Sequence, residues 1–115
     1  MRRDTDSVAD IVIAARRAIS YVGGMSQPQF ERDELTSSAV IRQVEVAGEA
    51  ASRVPDDFRS AHPAIPWRKL VGMRNILIHA YERVDLAEVW RVVTVEFPSL
   101  ADALEALLPP PPEDP

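Results

Sequence analysis

Pro66-Trp67-Arg68-Lys69-Leu70-Val71-Gly72-Met73-Arg74-Asn75-Ile76-Leu77-Ile78-His79-Ala80-Tyr81 carries apolar residues at Trp67, Leu70, Val71, Met73, Leu77 and Ile78, the spacing of a helix with one side against a core. Pro66 presets the first turn without a missing hydrogen bond, so the pattern predicts a helix from Trp67 to about Ala80. At about 100° per residue, Arg68, Gly72, Asn75 and His79 fall on one stripe, because their spacings are four, three and four. The stripe is polar with a gap at Gly72, which suits close approach of another helix, or of the same helix from a second subunit. Two readings stand side by side: a solvated face with a satisfied histidine, or a site.

Outward from this helix the chain reads as all-α. Val8, Ile11, Val12, Ala15, Ile19 and Val22 keep helical spacing up to the stop at Gly23-Gly24. After a short connection holding Pro28, the pattern from Phe30 through Leu35, Ile41, Val44 and Ala50 predicts a long second helix to Val54-Pro55, broken near Thr36. Gly48 inside it costs about 1 kcal/mol against alanine, which close packing by a neighbour would offset. Pro55 to Ile65 is expected to be a loop with one helical turn around Asp57 to Ser60. Asp85 is the expected N-cap of a fourth helix that Pro98 interrupts, and Leu100, Leu104 and Leu107 continue a last short one. The expectation is a single domain over residues 1–108, an antiparallel bundle of four to five helices, followed by an extended, disordered proline-rich tail over 109–115.

Composition narrows the function. Without cysteine there is no disulfide framework, no thiolate metal site and no cysteine nucleophile. Asp10, Arg16 and Arg17 interrupt the N-terminal apolar pattern, unlike a signal peptide, and no stretch reaches the roughly 20 apolar residues that span a bilayer, so a cytoplasmic protein is expected. A net charge of −5 argues against binding nucleic acid through bulk charge, so any RNA contact must be local. Lys69 is the single lysine among 13 basic residues, and arginine's planar fork suits phosphate better than an ammonium does.

The chain has two histidines, His62 in a proline-rich loop, read as exposed or capping, and His79 on the helix above. Arg74 precedes His79 by five positions and so points about 140° away on an ideal helix, whereas Arg74 and Tyr81 share nearly one face. A two-fold dimer could complete a site from two copies of the segment and concentrate basic charge there. Glu49 is expected to form a structural salt bridge or hydrogen bond to an arginine of the third helix. Trp67 and Trp90 are expected in the core. The acidic residues show no metal-ligand spacing, and no cofactor is expected.

Gly48-Glu49-Ala50-Ala51, Pro66-Trp67-Arg68, Gly72-Met73-Arg74-Asn75, His79-Ala80-Tyr81 and Val84-Asp85-Leu86 occur in the order of the HepT toxin family, which the chain resembles from Asp10-Ile11 through Pro98-Ser99-Leu100. The resemblance implies a HEPN domain, an all-helical bundle that dimerises and builds a ribonuclease site from Arg-x4-6-His motifs at the dimer cleft. It also implies a toxin of a type VII toxin–antitoxin system, held in check by an MntA-type minimal nucleotidyltransferase antitoxin. Carried onto this chain, Arg74, Asn75 and His79 would be the ribonuclease residues and Tyr81 the tyrosine that the antitoxin modifies with AMP. Arg68, Gly72 and Glu49 are possible supporting residues. The competing expectation is a non-catalytic helical dimer that binds a nucleotide or a protein partner, with His79 purely structural.

Overall fold

The first helix, α1 (Asp4–Val22), stops where glycine is needed. Gly23 adopts φ +54°, the left-handed conformation that side chains with a Cβ avoid, and its N–H reaches back to the Ile19 carbonyl at 3.1 Å. The computed structural model describes residues 4–79 and 85–110, with side chains left out for Asp4 and for 74–79. The expected extended tail over 109–115 falls mostly outside the described residues.

The long second helix is broken, as expected, into α2 (Gln27–Arg32) and α3 (Glu34–Ser52), but the break is at Asp33 rather than near Thr36. The Asp33 carboxylate accepts the Thr36 N–H at 3.0 Å, supplying the acceptor that a preceding helical turn would otherwise provide. This bond holds the Asp33 carboxyl below the usual carboxylate range. Pro28 lies inside the first turn of α2 rather than in a connection, behind a capping box in which the Ser26 hydroxyl accepts from Gln29 N–H and the Gln29 side chain accepts from Ser26 N–H.

The predicted turn in the loop is α4 (Asp56–Ala61). Arg59 fastens it to the end of α3 by donating to the carbonyl of Ala51 in its last turn at 2.8 Å and to that of Val54 just beyond it at 2.9 Å. Then come α5 (Trp67–His79) and α6 (Leu86–Arg91), the latter capped by Asp85 as expected. Pro98 does not break the helical run begun by α6. The chain continues through a π turn over Val92–Glu96 into α7 (Phe97–Glu105), with Pro98 in the first turn of α7. A wider turn just ahead of the proline removes the need for the hydrogen bond that its ring nitrogen cannot donate.

The described residues form no strand, and the architecture is an all-α bundle as the sequence implies. Helix α3 lies between α1 and α5, and α1 also packs on α7. Alanines at 14, 15 and 18 on α1 and at 47, 50 and 51 on α3 are all buried, with Gly48 beside them, so these two backbones approach closely. Phe30, Ile11, Leu70, Phe97 and Leu104 fill the remaining core. No helix among the described residues is long and apolar enough to cross a membrane.

Candidate functional site on the fifth helix

The start of α5 is held in a cluster of rings. Trp67 is buried and its indole N–H donates to the His62 carbonyl at 3.0 Å. Phe58 packs edge-on to Trp67 at 6.2 Å between centroids and lies 4.6 Å from the His62 ring. His62 is therefore half-buried at the C-cap of α4, a packed capping residue rather than a free imidazole. Leu70 and Met73, also buried, carry the packed side of the helix onward.

Helical backbone over the whole of 67–79 makes the stripe real in register: positions 68, 72, 75 and 79 share one side of α5. Arg68 is exposed, and a Cβ built on Gly72 would meet nothing within 4 Å. The open side of α5 is thus the side on which the stripe lies. Position 74 follows Leu70 by four residues and Trp67 by seven, so it shares the register of those two buried side chains, not the register of His79. One helix does not bring positions 74 and 79 to the same side. The side chains of Arg74, Asn75 and His79, and Tyr81 altogether, lie outside the described residues.

Glu49 departs from expectation. It is exposed on α3, among Arg42 and Ser52 on the outward side, and makes no ion pair among the described residues. Its register turns it away while its neighbours Gly48 and Ala50 turn inward, so the predicted bridge to an arginine of the third helix is not formed within the described residues. Trp67 is in the core as expected, and Trp90 is half-buried against Phe30 at 5.5 Å.

An ion-pair cluster ties α5 to the π turn. Glu96 accepts from Lys69 and, at 3.0 Å, from Arg91, while Arg91 also grips Glu88. Burial pushes the Glu96 carboxyl up, but the two cations overcome this and leave it below its usual range. Arg91 is raised, by Glu88 first and then Glu96, and stays charged. The Glu88–Arg91 pair has an i,i+3 signature in the sequence; the Lys69–Glu96 contact joins residues 27 apart and has none. Beside this cluster lies a groove of about 490 Å³ lined by Ile65, Leu70, Met73, Val95 and Leu100, with neither Arg68 nor Gly72 in its lining.

A family model described as "Ribonuclease HepT-like" matches residues 11–107. "Probable ribonuclease HepT" of Thermococcus cleftensis is 39% identical over 92% of this chain and 96% of its own length. "Putative RNase MJ1380" of Methanocaldococcus jannaschii is 34% identical over 84% of this chain and 88% of its own. No solved structure matches the chain. An all-helical bundle, the ordered motifs around α5 and a match spanning nearly the whole chain agree: this protein belongs to the HepT-like ribonuclease family.

Proposed function

We propose that the chain is a metal-independent endoribonuclease, the toxin of a type VII toxin–antitoxin pair, with residues 1–108 as its catalytic domain and 109–115 as a proline-rich tail. It acts in the cytoplasm as a homodimer. The observation that carries the reading is the Arg74-x4-His79-x-Tyr81 motif, whose Arg74 and His79 positions lie on the helix whose stripe side is open, in a chain of this family. An imidazole titrating near neutrality can take the proton from an RNA 2′-hydroxyl or give one to the departing 5′-oxygen. His79 has that role. Arg74 stabilises the charge that develops on the phosphate, and Asn75, one turn before His79, orients the ring or binds a phosphate oxygen. Attack by the 2′-oxygen forms a new bond to phosphorus as the 5′-oxygen leaves, giving a 2′,3′-cyclic phosphate and a 5′-hydroxyl.

The homodimer is inferred from the register. Since positions 74 and 79 face different sides of one helix, two copies of α5 related by a two-fold axis supply Arg74 and His79 to a shared cleft, and the gap at Gly72 admits the close approach. The antitoxin, a minimal nucleotidyltransferase, adds AMP to Tyr81. That addition places bulk and negative charge beside the basic cleft and repels RNA phosphates.

The test is cleavage of labelled total RNA by purified protein in EDTA, comparing wild type with His79→Ala and Arg74→Ala of equal helicity. Cleavage by wild type alone is the expected result. Equal behaviour of all three proteins would replace this reading with a non-catalytic dimer that binds a nucleotide or protein partner.

A further inference from the structure

One side of α7 leads from the end of the described chain into the groove beside the Glu96 cluster. Ser99, Ala103 and Leu107 are four residues apart and so share that side. Ser99 and Ala103 line the groove, with Leu100 behind them and Ile65, Leu70 and Met73 opposite. Both are small and exposed, which leaves the groove open along α7. Val95, a further wall residue, is 64% exposed, an apolar side chain that the bundle does not cover.

The chain departs from the α7 axis before its prolines begin. The Leu107 N–H bonds the Leu104 carbonyl at 3.0 Å and the Leu108 N–H bonds the Glu105 carbonyl at 3.1 Å, tight turns that end the helix, and the backbone bends at Leu108. Leu107 and Leu108 pack against the core and fix this point of departure, while Pro109 and Pro110 stand exposed. The sequence continues Pro111-Pro112-Glu113-Asp114-Pro115. Successive prolines favour the polyproline helix, so such a segment has little conformational freedom to lose on docking. At about 3.1 Å per residue, 109–114 spans about 19 Å. The return from Leu108 to Glu96 is twelve residues of helix, about 18 Å at 1.5 Å each. Glu113 and Asp114 thus reach the level of Glu96 and its partner Lys69. The Lys69 side chain is more than half exposed, and its ammonium has three donors, of which Glu96 takes one.

We propose that residues 109–115 return over α7 as a polyproline strap seated in this groove, with the prolines against Ser99, Leu100 and Ala103 and the acidic pair beside Lys69. Segment and groove agree in length, in apolar surface and in charge. The strap covers Val95 and ties the start of α5 to α7 from outside. The inference goes beyond the ribonuclease reading and does not depend on it.

Because the chain has no cysteine, a pair introduced into the full chain reports proximity by forming a disulfide. Val95→Cys with Asp114→Cys is oxidised in glutathione buffer beside a second protein, Arg17→Cys with Asp114→Cys. Arg17 follows Arg16, which bonds Glu105 near the root of the strap, whereas Val95 lies ten residues before Glu105, about 15 Å back along the helical run. A tail moving freely on its root therefore meets Arg17 at least as readily as Val95. The expected result is an intramolecular disulfide in the Val95 pair with a yield about fivefold above that of the Arg17 pair. Adding Glu113→Lys should lower that yield several-fold. Equal yields in the two pairs, or bridges that join two copies instead of one chain, would overturn the proposal. A yield indifferent to Glu113→Lys would overturn the acidic contact with Lys69. Methyl NMR provides a measurement without cysteines: Pro111→Gly with Pro112→Gly should shift the signals of Met73, Val95 and Leu100 and leave Ile13 on α1 in place. Unmoved groove methyls would equally refute the strap.

Discussion

Replacing Trp67 separates two contributions at the base of α5. Trp67→Phe keeps a ring against Phe58 but removes the indole N–H that reaches the His62 carbonyl at 3.0 Å. That carbonyl still accepts the Ile65 N–H at 3.2 Å, so it is not orphaned, and the loss is one net hydrogen bond, about 1 kcal/mol. Trp67→Ala removes the buried ring as well, and truncations of this kind cost about 3–5 kcal/mol. For a chain of this size about 1 kcal/mol moves the thermal midpoint by roughly 4 °C. Trp67→Phe should therefore melt a few degrees below wild type, with the alanine variant several times further down. Circular dichroism melts and urea titrations at one fixed protein concentration measure this, because association would otherwise shift the midpoints. Equal losses in the two variants would refute the reasoning, since they would mean that the hydrogen bond rather than the buried ring anchors the helix.

Glu96 should make stability depend on pH. Its folded-state carboxyl is held below the usual value of about 4.3, so its charged form stabilises the fold above that pH and the contribution disappears as pH falls through the lowered value. Glu96→Gln is expected to cost about 1–2 kcal/mol at pH 7, with the gap to wild type in urea midpoint narrowing below about pH 4; a gap independent of pH would contradict the assignment. AMP addition is checked by mass spectrometry of protein co-produced with its nucleotidyltransferase: the peptide holding Tyr81 should gain one adenylyl group and the peptide holding Tyr21 none. An unmodified Tyr81 would remove this mode of control.

Much of the bundle was legible because helix signals are local. Gly23 ended α1, Asp85 capped α6 and Pro66 preceded α5, each through bonding within a few residues of itself. The misread breaks were decided by finer geometry. Asp33 and Thr36 both lie near the junction of α2 and α3, and only the backbone shows that Asp33 is the acceptor. Pro98 reads as a stop because its ring obstructs an ordinary α turn; the π turn ahead of it is a relaxation that apolar spacing does not announce. Glu49 has polar and apolar neighbours that suit either an inward or an outward residue, and the packing of α3 between α1 and α5 turned it outward.

By itself the sequence determined the helical class, the stripe of Arg68, Gly72, Asn75 and His79, and the separation of Arg74 from His79, since all three derive from the 3.6-residue period of one chain segment. Only the tertiary structure decided which side of α5 is packed and which is open, that Lys69 pairs with Glu96 while the neighbouring Arg68 bonds to no carboxylate among the described residues, and that His62 belongs to a ring cluster. Those facts depend on partners distant in sequence, and no local pattern of residue types says which charges will meet once the helices pack.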